Sequence, residues 1–88
     1  MGYNVRIEKS AEKTLRKMDR FQARVIVDWI EKNLVNCSDP FQQGKGLTAD
    51  KSGFWRYRVG AYRIIADISQ EDITILIVKI GHRKEIYK

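Results

Sequence analysis

Phe54-Trp55-Arg56-Tyr57-Arg58-Val59-Gly60-Ala61-Tyr62-Arg63 decides how the chain is read. Side chains alternate across an extended strand, so Phe54, Arg56 and Arg58 share one face while Trp55, Tyr57 and Val59 share the other. Gly60-Ala61 sits where a two-residue hairpin turn of type II′ wants glycine first. A second strand, Tyr62 to Ile68, then returns alongside, with Val59 facing Tyr62 and Arg58 directly opposite Arg63. After a turn over Ser69 to Asp72, the run Ile73 to Ile80 is nearly all apolar and β-branched, the pattern of a strand covered on both faces.

Working back from the hairpin, a loop ends at about Gly53 and follows the stretch Asn36 to Pro40, whose Asn36, Ser38, Asp39 and Pro40 favour turns and end a helix. Before it stands an apolar stripe of Phe21, Val25, Ile26, Trp29, Ile30 and Leu34 at helical spacing, behind a cap formed by Asp19 with Gln22. A shorter helix carries Ala11, Leu15 and Met18, with Ser10 as its expected N-cap. The start alternates Tyr3, Val5, Ile7 against Asn4, Arg6, Glu8, a half-buried strand over 2–8. The expected layout is therefore β-α-α-β-β-β, an α+β domain over residues 1–88 with two N-terminal helices packed on a small, mainly antiparallel sheet.

The chain has 88 residues, 43% of them apolar, with one proline and six glycines, which suits a packed globule with one modest core rather than a disordered or repetitive chain. Its longest apolar runs fall far short of the roughly 18 residues that span a bilayer, and no apolar leader opens it, so a cytoplasmic protein is expected. One cysteine, Cys37, and one histidine, His82, provide neither an internal disulfide nor a Cys/His zinc set. No metal and no cofactor is expected. Seventeen basic against eleven acidic side chains leave a net charge of +6, and a small basic domain attracts polyanions or acidic proteins.

Three arginines on one sheet face need a reason, because like charges facing across strands destabilise by roughly 0.2–1 kcal/mol. Arg56, Arg58 and Arg63 either extend into solvent, pair with Asp67, Glu71 or Glu85, or meet a bound phosphate, whose oxygens fit the guanidinium fork. The segment Gly81-His82-Arg83-Lys84-Glu85-Ile86-Tyr87 follows the apolar strand directly. It adds the one imidazole of the chain, another phosphate-binding arginine and a tyrosine able to stack on a base.

The element order, the Lys45-Gly46-Leu47 loop, the arginine hairpin and the Gly81-to-Tyr87 ending together resemble the RelE branch of the RelE/ParE superfamily of toxins, over essentially the whole chain. The resemblance implies the toxin of a type II toxin–antitoxin pair, a ribosome-dependent endoribonuclease that inhibits translation by cutting mRNA in the A site. Cleavage in that family uses the RNA 2′-hydroxyl, leaves a 2′,3′-cyclic phosphate and requires no metal. Arg56 and Arg58 stand where better-known members carry lysines that stabilise the transition state or activate the hydroxyl. Arg63 matches the arginine on the scissile phosphate, Arg83 a second charge stabiliser or proton donor, and Tyr87 the tyrosine that stacks on the mRNA base.

Arginine effectively never loses its proton, so the expected general base is His82. No extension is expected to follow Tyr87 beyond Lys88. Lys9, Lys13, Arg16, Lys17, Arg20 and Lys45 are expected to contact ribosomal RNA through phosphates. Expected partners are an acidic, RelB-like antitoxin, held in a hetero-oligomer, and the ribosome with its rRNA and mRNA; no membrane is expected. The rival is a non-enzymatic toxin of the ParE branch that poisons DNA gyrase. A third possibility is a small RNA-binding module or an inactive toxin relic.

Overall fold

The computed structural model describes residues 2–46 and 54–85. Among them the chain runs β1 (Asn4–Ile7), α1 (Lys9–Lys17), α2 (Arg20–Asn33), β2 (Lys45–Gly46), β3 (Phe54–Val59), β4 (Tyr62–Ser69) and β5 (Thr74–His82). The strands form one sheet in the order β1-β5-β4-β3-β2. β1 pairs with β5 in parallel and every other neighbour is antiparallel, so the α+β layout of two helices on a mainly antiparallel sheet is what the chain adopts.

The helices cover one side of the sheet. Ala11, Ile26, Ile30 and Leu34 from the helices form one buried cluster with Tyr57, Val59, Ile64, Ala66, Ile68, Ile75, Ile77 and Ile80 from the strands. Strand alternation sends the residues between these to the helix-free face. Ile65 opposes Lys79 while Ala66 opposes Ile77, so Val78 is an extra residue on β5. This bulge restores inward placement to Ile80 after Ile77, and the antiparallel strand twists and bends there.

The local grammar held at several points. Asp19 accepts the Gln22 amide at 3.1 Å, capping α2. Gly60 has φ 61°, the left-handed first position of the hairpin turn, and the register pairs Val59 with Tyr62 and Arg58 with Arg63.

Elsewhere the structure corrects the reading. Ser10 is not the N-cap of α1: the helix begins at Lys9 behind Glu8, which makes no side-chain cap bond. The Ser10 hydroxyl lies 3.3 Å from the Val78 carbonyl and fastens α1 to the bulge. Phe21 is 75% exposed and Val25 is also exposed, because α2 buries the narrower stripe of Ile26, Ile30 and Leu34. Ile73 belongs to the turn, with φ 50°, and β5 extends to His82 instead of ending at Ile80.

The region read as a loop contains β2, whose Lys45 pairs with Arg56 and Gly46 with Trp55. Gly44 precedes it with φ 79°, and a Cβ there would sit 2.2 Å from the Arg56 carbonyl oxygen. Only glycine permits both the conformation and the approach. Tyr57 anchors the same region by donating its hydroxyl to the Pro40 carbonyl, and the Trp55 indole donates to the Gln43 carbonyl at 2.6 Å.

Candidate active site

Lys45, Arg56, Arg58 and Arg63 line one hollow of about 240 Å³. Each arrives there for a local reason. Arg56 and Arg58 alternate with Tyr57 and Val59, whose burial in the core commits the arginines to the helix-free side. The tight turn at Gly60 then brings Arg63 opposite Arg58. Gly44 allows β2 to approach β3, which sets Lys45 beside Arg56.

Arg63 is the buried member, 9% exposed. Its Nη1 donates to the Gly60 carbonyl at 3.2 Å and the Tyr62 carbonyl at 3.1 Å. These bonds pin the guanidinium to the hairpin turn, so its orientation is set before any ligand arrives. Arg58 is exposed and Arg56 half-buried. A set of cations held on adjacent strands in this way can take a phosphate and neutralise charge as it develops on the phosphorus oxygens.

His82 is elsewhere. It pairs in register with Tyr62, their rings meet edge to face at 5.6 Å between centroids, and both line a second hollow of about 330 Å³ together with Thr14 and Lys17 of α1 and Met18, which caps it. That hollow is on the helix side. The expectation of an imidazole at the rim of the arginine cluster fails, because His82 is one residue out of phase with Gly81, the partner of Arg63. Moreover, His82 Nδ1 accepts the Lys84 amide at 3.1 Å, so in the neutral ring the proton is on Nε2 and the other lone pair is engaged.

Arg83 does not line the arginine hollow. Its amide donates to the Ala61 carbonyl at 2.8 Å, which holds the start of the turn after β5 beside the hairpin turn. Tyr87 and Leu47 lie outside the described residues. Lys9, Lys13 and Lys17 recur every four residues on the exposed surface of α1, and Arg16 and Arg20 are exposed beside them. Arg16 also reaches Glu12 at 3.6 Å. These five are remote in sequence from the hollow; Lys45 is the member of the expected RNA-binding set that joins it.

Other hollows carry mixed chemistry. One of about 480 Å³, lined by Arg6, Asp67, Ser69, Asp72, Thr74 and Leu76, shows where Asp67 goes. It stands four residues from Arg63 along β4 and pairs with Phe54 at the start of β3, at the end of the sheet opposite the hairpin. Among the described residues no group of three or more His, Cys, Asp or Glu side chains is arranged to hold a metal ion. No helix among them is long and apolar enough to cross a membrane.

The match to known proteins is as long as the chain. Residues 5–87 match the family described as ParE toxin of type II toxin-antitoxin system, parDE. Toxin RelG of Mycobacterium tuberculosis is 30% identical over 88 residues, covering 100% of this chain and 99% of the relative. The toxin–antitoxin complex RelBE2 of the same organism superposes with a TM-score of 0.82 at 27% identity, covering 97% of this chain and 95% of the matched one. The archaeal RelE–RelB complex from Pyrococcus horikoshii superposes at 0.68 with 25% identity, covering 97% and 99%. With helices on one face, an arginine hairpin on the other and a family match from β1 to the final residues, the chain belongs to the RelE/ParE superfamily as a toxin of a type II toxin–antitoxin system.

Proposed function

We propose that this toxin is a ribosome-dependent endoribonuclease of the RelE kind, cleaving mRNA in the A site. The observation that carries the reading is the convergence of Lys45, Arg56, Arg58 and Arg63 on one hollow of the helix-free sheet face. On this reading Arg63, held by the turn carbonyls, binds the scissile phosphate, Arg56 and Arg58 neutralise the developing charge, and Arg83 closes the hairpin end. Tyr87 stacks on a base. The nucleophile is the RNA's own 2′-hydroxyl. It forms a bond to phosphorus as the bond to the 5′ oxygen breaks, giving a 2′,3′-cyclic phosphate, so no hydroxide generated on a metal is called for.

Among the described residues lining the hollow, Lys45 is the one whose side chain can exchange a proton, since guanidinium does not. Lys45 therefore takes over the proton transfer expected of His82. The site has charge but little to bend free RNA into line, which is why the ribosome is the proposed setting: the A site supplies the in-line geometry. The exposed lysines of α1 contact rRNA, and an acidic antitoxin of the RelB kind covers the basic surface in the resting complex.

The test is to incubate purified toxin with programmed ribosomes and map RNA ends. Cuts within the A-site codon, carrying a cyclic phosphate and lost in Arg63→Ala, are expected. The description of the matching family as ParE favours a second reading, protein contact with DNA gyrase; intact mRNA with trapped or inhibited gyrase in the parallel assay would select it.

A further inference from the structure

His82 is tied through Nδ1, its carbonyl and its ring to the segment that carries Arg83 and to the neighbouring strand. Its Nδ1 accepts the Lys84 amide at 3.1 Å and its carbonyl accepts the Glu85 amide at 2.8 Å. Its ring stands edge-on to Tyr62, and the next residue, Arg83, donates its amide to Ala61 of the hairpin turn at 2.8 Å. Three hydrogen bonds and one ring contact within four residues fold 82–85 into a turn clasped to the same hairpin whose carbonyls hold Arg63.

We infer that His82 is a positioning residue, a clasp that holds the Arg83 turn against the β3–β4 hairpin, and that it takes no part in proton transfer. The inference rests on the ribonuclease reading for its effect on rate, but its geometry does not depend on it. The opposite face of the sheet from Lys45, Arg56, Arg58 and Arg63 is no place for a base acting in that hollow. An acceptor at Nδ1, on the other hand, is what an Asx-type turn uses, in which a side chain at one position accepts the amide two residues on. Asparagine performs the same closure with no basic nitrogen. The charged and titratable groups around the ring are Lys17 from α1, Tyr62 from β4 and Lys79 and Glu85 from its own segment. A proton placed on Nδ1 removes the acceptor and opens the clasp from one side.

The variants His82→Asn and His82→Phe separate the roles. In the ribosome assay, His82→Asn keeps the turn acceptor and is expected to cleave within about threefold of wild type. His82→Phe keeps a ring against Tyr62 but lacks the acceptor, and its rate is expected to fall by about ten- to a hundredfold, the scale of a slightly misplaced group. Loss in His82→Asn equal to that in His82→Phe would overturn the clasp and restore a base. Full activity in His82→Phe would overturn it as well. A folding check by circular dichroism accompanies both.

Should wild-type toxin not cleave at all, the ribonuclease reading fails, and the clasp is decided on the free protein by NMR. The Lys84 amide is expected to be protected from hydrogen exchange in wild type and in His82→Asn and to lose that protection in His82→Phe. Equal protection in all three proteins removes the clasp.

Discussion

Arg63 and Tyr57 show how single side chains are committed from opposite faces of the same hairpin. Arg63 donates to the Gly60 and Tyr62 carbonyls while lining the hollow, so replacing it does two things. Arg63→Lys keeps a charge but lacks the planar fork; its cleavage is expected to fall by about a hundredfold or more, on the scale of losing one preorganised donor, in the ribosome assay. Lys45→Arg keeps charge without exchangeable basicity and is expected to lose about 10²–10⁴-fold, the usual worth of general acid–base catalysis. A Lys45→Arg variant with wild-type cleavage would exclude Lys45 from proton transfer.

Tyr57 belongs to stability. Burial pushes its hydroxyl well above the ordinary tyrosine range, helped by Cys37 and Asp39 nearby, and the hydroxyl donates to the Pro40 carbonyl. Because the folded state holds this proton more tightly, the contribution is fully present below about pH 10, where an unfolded tyrosine is also protonated. Above that the unfolded chain ionises first and stability falls as pH rises. Tyr57→Phe is expected to cost about 1–3 kcal/mol near neutrality, the price of an unmade buried bond. In urea titrations it is also expected to lose stability less steeply than wild type above about pH 10. Parallel slopes for the two proteins would contradict this assignment.

At the scale of elements, the contrast between the two helix starts is the sharpest check on the fold. Asp19 caps α2 through the Gln22 amide, whereas α1 begins without a side-chain cap. Asp19→Ala is therefore expected to lower unfolding stability by about 1 kcal/mol, and Ser10→Ala by no more than about 0.5 kcal/mol, both read from urea melts. An equal loss at Ser10 would mean that its contact with Val78 matters as much as a cap. β2 is the element that completes the hollow, and it is two residues long. No periodicity exists in two residues, so no alternation marks it; the sequence shows a glycine at 44 just before Lys45, and only the structure shows its left-handed backbone.

For the molecule as a whole, the two faces divide the work. The helix side spends its apolar residues on the core, and the other side is left to cations that meet at the hairpin end while Asp67 and Asp72 line a hollow at the far end. Lys9, Lys13 and Lys17 form a separate exposed basic ridge along α1, on the helix side. If that ridge meets rRNA, neutralising Lys13 and Lys17 with Gln should weaken ribosome binding and reduce the slope of log affinity against log salt by about 0.7–0.9 per lost phosphate contact. An unchanged slope in sedimentation assays at several salt concentrations would free the ridge from that role.

Much of this architecture was written in alternation and turn chemistry. The period-2 pattern from Phe54 to Arg63, the glycine between the strands and the helical stripe around Ile26 and Ile30 determined by themselves that there would be a hairpin with arginines on one face and a core on the other. These are local rules, and each acts within a few residues. What only the tertiary structure decided was company over distance. It brought Lys45 to Arg56 through a strand too short to have a period, and inserted Val78 so that the tail of β5 changed phase. It thereby turned His82 toward α1 and away from the arginines. A one-residue shift in a strand exchanges its faces, and nothing in a single sequence counts the residues of a bulge before the neighbouring strand is in place.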